Sequence, residues 1–123
     1  MVVSGWQQTP LIYERPLDVF SLPKIAYAST TIEMIEYEAT RAGFTPAIAV
    51  KIARCESSLN PKAKNPSGSD AGLFQLTDSF RARYCPAIDP FNPVENTRCA
   101  VKVMTQPAGL NHWYPSFFCW QYL

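Results

Sequence analysis

The sequence predicts a small, mainly α-helical domain folded around one cleft, with at most a minimal strand element and two disulfides. Three observations lead there. Apolar residues recur at three and four positions behind recognisable helix-start signals. Turn-rich segments separate those runs, and four cysteines stand in a chain of 123 residues, a size that suits one domain. With 47 % apolar residues, seven Phe, six Tyr and three Trp, the chain can bury a real core. Charged residues are 17 % and the net charge is +1. That balance excludes a disordered polyelectrolyte and argues against a domain that grips nucleic acid through phosphates. No apolar run approaches the roughly 18 residues needed to span a bilayer.

Residues 1–30 carry Pro10, Pro16 and Pro23 without a sustained period, so an irregular lead-in is expected there, ahead of a domain over 31–123. The opening stretch has no basic segment followed by a continuous apolar one, so an intact secretory signal is not expected. Thr30 and Glu33 have the spacing of a capping box, and the run through Met34, Ile35 and Tyr37 to Gly43 reads as the first helix. Glu33, Glu36 and Glu38 read as its solvated acidic face. Thr45-Pro46 opens a second helix. In it Ile48, Ala49, Ile52, Cys55 and Leu59 form one apolar stripe, closed by Pro61.

Residues 60–72 are rich in Asn-Pro, Gly and Ser and read as turns. Leu73–Leu76 is a brief strand or buried turn. Thr77 and Asp78 open a short helix through Tyr84. Asn92, Pro93 and Glu95 repeat the cap, proline and carboxylate signature and launch a helix with Val94, Val101 and Met104 inward, ending before Pro107. The aromatic tail is interrupted by Pro115. Cys55, Cys85, Cys99 and Cys119 include no CxxC, and His112 is the sole histidine. Two disulfides in an oxidising compartment are therefore a better reading than a zinc site, and neither a metal nor a cofactor is expected.

One residue breaks the pattern. Glu56 lies on the apolar stripe, where a soluble helix would place another aliphatic. A carboxyl kept from water holds its proton to higher pH and can act as a general acid. The plainer alternative is a helix-end carboxylate paired with Lys51 or Arg54.

The residues around Glu56 favour the former. Cys55-Glu56-Ser57-Ser58-Leu59-Asn60-Pro61, the polar turn Lys62 to Pro66, then Gly68 and Gly72-Leu73-Phe74-Gln75 resemble the catalytic core of soluble lytic transglycosylase domains, of the lysozyme-like superfamily. The likeness spans about residues 45–80, with Phe74 where that family usually has methionine. Gly68 to Gln75 is also similar to the segment of c-type lysozymes that carries their second carboxylate, here Asp70. Arg98 to Lys102, Gly109 to Trp113 and Cys119 resemble later parts of the same lysozymes. By that resemblance Cys55 pairs with Cys119 and Cys85 with Cys99.

The resemblance implies cleavage of the β-1,4 bond between N-acetylmuramic acid and N-acetylglucosamine in peptidoglycan, with Glu56 as the acid. As a transglycosylase the chain would need no second carboxylate. As a muramidase it would use Asp70 to stabilise or attack the anomeric carbon, although Asp70 is equally placed for a Ser/Gly turn. Asn65, at a position where transglycosylases have serine, is a candidate partner of the acid. Gln75 is a candidate for binding sugar, and Trp113 and Tyr114 are candidates for an apolar wall. Core roles are the alternative for the two aromatics, and His112 reads as structural. The implied setting is extracellular, on a cell envelope or on a phage particle, with glycan strands as partner and a monomer as the working form. A non-catalytic lysozyme-like module that binds glycan or protein is the rival of a different class, with an envelope or virion structural piece behind it. No G-x-S-x-G or phosphate-binding glycine loop supports other chemistry.

Overall fold

The computed structural model describes residues 24–122. The element order is α1 (Lys24–Ala42), α2 (Pro46–Ser57), α3 (Asp78–Tyr84), α4 (Pro93–Met104), a 3₁₀ helix (Gly109–Ser116) and α5 (Phe117–Trp120). Among the described residues there is no strand. Two isolated bridges, Lys64–Ala71 and Ala71–Leu76, are the whole of the β structure there. The fold is thus the mainly helical one expected. The chain divides after Thr30, and the site lies wholly within residues 31–123.

Helix α1 starts at Lys24 rather than Thr30, so Thr30 and Glu33 are interior and form no capping box. No proline interrupts the chain between Lys24 and Thr45, and Ala26 and Ala28 favour helix there. The irregular lead-in expected over 1–30 otherwise falls on residues 1–23, outside the described residues. At its other end α1 closes as the sequence suggests. Gly43 takes φ +84°, its N–H bonds to Thr40 O at 3.1 Å, and Phe44 N–H bonds to Ala39 O at 2.9 Å. Those are the two bonds of a Schellman motif. Glu33 and Glu36 face solvent, but Glu38 does not. It is 4 % exposed and accepts from Arg98 Nε at 3.0 Å, tying α1 to α4.

The other helix starts follow their sequence signals. Thr77 Oγ1 accepts from Phe80 N–H at the start of α3. Asn92 Oδ1 accepts from Val94 and Glu95 N–H at the start of α4. Such caps stabilise a helix by about 1 kcal/mol each. Thr45 begins α2 with extended backbone and no side-chain bond, so Pro46 sets that start instead. Between α2 and α3 the turn-rich loop carries Leu73, Phe74 and Leu76 into the core, where each is at most 1 % exposed. The 73–76 segment is therefore a buried turn. Met34 and Ile35 of α1, Ile52 of α2, Val101 and Val103 of α4 and Trp113, edge-on to Phe74, are buried as well.

Both disulfides form, Cys55–Cys119 joining α2 to α5 and Cys85–Cys99 joining the end of α3 to α4. Among the described residues no helix is long and apolar enough to cross a membrane.

Candidate active site

Glu56 sits in the last turn of α2. The helix stops there because Ser58 and Leu59 both adopt left-handed backbone, φ 54° and 62°, a conformation that costs non-glycine residues about 1 kcal/mol or more. Ser57 turns its hydroxyl back to Ala53 O at 3.0 Å and stays buried. Next to Glu56, Cys55 is bonded to Cys119, which fixes this turn against the C-terminal segment. Glu56 itself is half-buried. Burial raises its pKa above the ordinary carboxylate value and the charge of Asp70 adds to the rise, while a hydrogen bond from Ser116 opposes it. Ser116 Oγ stands 2.6 Å from Glu56 Oε2. Neither Lys51 nor Arg54 makes an ion pair with Glu56.

The turn-rich loop brings Asp70 to the same space. Asn65 Nδ2 donates to Asp70 Oδ2 at 3.0 Å, and Asn65 N–H to Asp70 O at 3.0 Å. Gln75 closes the loop internally, its amide nitrogen bonding to Gly72 O at 2.9 Å and Ala63 O at 3.3 Å. Asn96, fully buried on α4, holds the loop from beneath. Its amide nitrogen donates to Pro90 O at 2.9 Å and Ala71 O at 3.1 Å, and its oxygen accepts from Phe74 N–H at 3.0 Å. Gly72, at φ +81°, lies so close to Pro90 O and Asn96 that a side chain would collide with both. Only glycine fits there.

Glu56, Asp70 and Gln75 open onto a groove of about 430 Å³, within the usual range for small-ligand sites. Aromatic rings line it too, Phe80 and Tyr84 from α3 and His112 and Trp113 from the 3₁₀ helix. The rings interlock: His112 lies 5.0 Å from Phe80 and 5.5 Å from Tyr84 between centroids, and Tyr84 Oη is 3.3 Å from His112 Nε2. Trp113 is buried, with its indole N–H on Phe74 O at 3.0 Å, and also faces the groove. Arg83 adds a cation at the edge. A half-buried carboxyl with a raised pKa, a second carboxylate and an apolar ring wall can deliver a proton to a bound ether oxygen and shelter a cationic centre. Among the described residues no three His, Cys, Asp or Glu side chains gather as metal ligands.

Of the residues singled out from the sequence, Glu56, Asp70, Gln75 and Trp113 meet at the groove. Asn65 touches Asp70, not Glu56. Tyr114 is 54 % exposed, packs on Phe117 and Trp120, and does not line the groove. His112, read as structural, does line it. Ser116 belongs to no sequence motif, being remote in the chain from its partner Glu56. One signal did exist: it stands three residues before Cys119, whose partner adjoins Glu56. Arg83 and Tyr84 carried no signal beyond the short helix that holds them.

The family model described as Transglycosylase SLT domain matches residues 33–112, the stretch from α1 through His112. No curated protein and no solved structure matches the chain.

Proposed function

The chain belongs to the transglycosylase SLT domain family, and from that premise we propose that it cleaves the β-1,4 bond between N-acetylmuramic acid and N-acetylglucosamine by lytic transglycosylase chemistry. The observation that carries this reading is Glu56: a half-buried carboxyl, facing a ring-walled groove, whose burial lets it keep a proton to higher pH. In the first step Glu56 gives its proton to the glycosidic oxygen, the C1–O bond breaks, and its electron pair stays with the departing sugar. Positive charge then develops at C1 and the ring oxygen of the muramyl unit. The aromatic wall packs on the sugar faces and excludes water. Glu56, now a carboxylate, takes the proton of the muramyl 6-hydroxyl as its oxygen closes on C1. That gives a 1,6-anhydro end and restores the acid.

Asp70 acts here by charge alone, and Asn65 acts by holding Asp70. Gln75 and Trp113 contact the glycan, and Tyr114 does so only if strands extend beyond the groove. The protein works as a monomer outside the cytoplasm, on a cell envelope or a phage particle. A second reading has one observation behind it. Asp70 opens on the same groove and its charge acts on Glu56, as a muramidase pair requires.

Digestion of purified peptidoglycan, with mass spectrometry of the sugar ends, decides between them. Anhydro ends are expected. Reducing ends would replace the transglycosylase by a hydrolase, and strand binding without soluble fragments would leave a binding module.

A further inference from the structure

Ser116 has one hydroxyl proton and two acceptors. Its Oγ lies 2.6 Å from Glu56 Oε2 and 3.1 Å from the carbonyl oxygen of Trp113. A single O–H can serve only one of them fully at a time. The carbonyl does not depend on it, because Trp120 Nε1 donates to the same Trp113 O at 3.1 Å from within the core. The hydroxyl can therefore turn wholly to Glu56 without leaving a buried carbonyl unpaired. On the carboxyl itself, Oε2 is occupied by Ser116, whereas Oε1 accepts no hydrogen bond from any described residue. The 3₁₀ helix and the Cys55–Cys119 bond hold the two elements that carry Ser116 and Glu56 in this register.

Resting on the reading of Glu56 as the acid, we infer that Ser116 is its positioning residue: the hydroxyl is shared between Oε2 and Trp113 O while Glu56 holds its proton on the free Oε1, and turns wholly onto Oε2 when that proton has gone, leaving Oε1 to receive the next one. A hydrogen bond to an ionised carboxylate is stronger than one to the neutral acid. Ser116 thus follows the charge on Glu56 with a bond rotation in place of a rearrangement. It also counters the upward push that burial and Asp70 exert, keeping the acid able to ionise within a turnover.

The test is a ¹³C NMR titration of the Glu56 side-chain carboxyl in the full chain, for the natural protein, S116A, S116T and W120F. The carboxyl signal isolates Glu56 from Asp70, Arg83, Tyr84 and His112, which face the same groove and complicate any activity profile. In S116A the midpoint moves to higher pH, and S116T, which keeps the hydroxyl, returns it. W120F leaves Ser116 in place but removes the other donor to Trp113 O, so it too raises the midpoint and serves if S116A does not fold. In the same samples S116A lowers kcat about tenfold with KM little changed, as loss of one charge-assisted bond to the reacting group predicts. Midpoints that coincide in S116A and the natural protein, or in W120F where S116A does not fold, overturn the proposal. E56Q separates the two levels. If it still releases fragments at full rate the acid assignment is wrong, while the titration still decides what Ser116 does to Glu56.

Discussion

Glu56 is held between opposing influences that can be changed one at a time. Burial and the Asp70 charge favour its neutral form, and Ser116 favours its ionised form. Replacing Asp70 by Asn removes a like charge, so the Glu56 midpoint falls. The alkaline limb of the activity profile then shifts to lower pH, which a pH series of glycan release at fixed substrate reads directly. If Asp70 acts only through this charge, D70N keeps a substantial rate at its own optimum; a loss of 10³-fold or more there would give Asp70 a covalent or direct role. Glu56 was legible in the sequence because a carboxylate on an apolar helical stripe is a local contradiction. Ser116 was not, since its meaning arises only when the C-terminal segment folds back on α2.

The loop that presents Asp70 and Gln75 depends on one residue of α4. Asn96 pairs with Ala71 O and Phe74 N–H, both buried, and with the half-buried Pro90 O. Asn96→Ala leaves Pro90 O and Phe74 N–H unpaired and opens a void, while Ala71 O keeps its bond from Leu76 N–H. A stability loss of about 3 kcal/mol or more is expected, measured as a lower urea midpoint with unchanged slope. Gly72→Ala should be at least as damaging, since its side chain would strike Pro90 and Asn96. The helix starts at Thr77 and Asn92 and the stop at Gly43 could be read from the sequence because caps are local chemistry. The start of α1 could not, because a Thr-x-x-Glu spacing inside a helix looks the same as one at its end. The pairing of Glu38 with Arg98 was equally hidden, since periodicity marks a face but not the partner that covers it.

Two covalent links join parts of the molecule that are far apart in sequence. Cys55–Cys119 closes a separation of 64 residues and Cys85–Cys99 one of 14. Chain-entropy arguments put their contributions at about 4 and about 3 kcal/mol. Replacing Cys55 and Cys119 together by Ala should therefore lower stability more than replacing Cys85 and Cys99, and should also lower activity by freeing Ser116 from Glu56. Thermal melts and glycan release on the two double variants check both effects. The cysteine count and spacing pointed to two bridges, but the pairing came only through the likeness to lysozymes, because four cysteines allow three connectivities.

Overall stability should also carry the mark of Glu56. Its pKa in the folded protein is raised above the unfolded value, so the folded state binds more protons between the two. The contribution is complete below the unfolded pKa and is lost as pH rises through the folded one. Glu56→Gln removes that dependence and keeps an acceptor for Ser116. It should gain stability relative to the natural protein as pH rises through that window, seen as diverging melting temperatures. Activity must move the opposite way.

The most direct measurement sets the alkaline limb of kcat/KM for glycan release against the NMR midpoint of Glu56 in the same buffer, with E56Q as control. The two should coincide, and the folded E56Q protein should lose at least a hundredfold in rate. Undiminished release well above the pH at which Glu56 has ionised, or from E56Q, would contradict the assignment of this carboxyl as the proton donor.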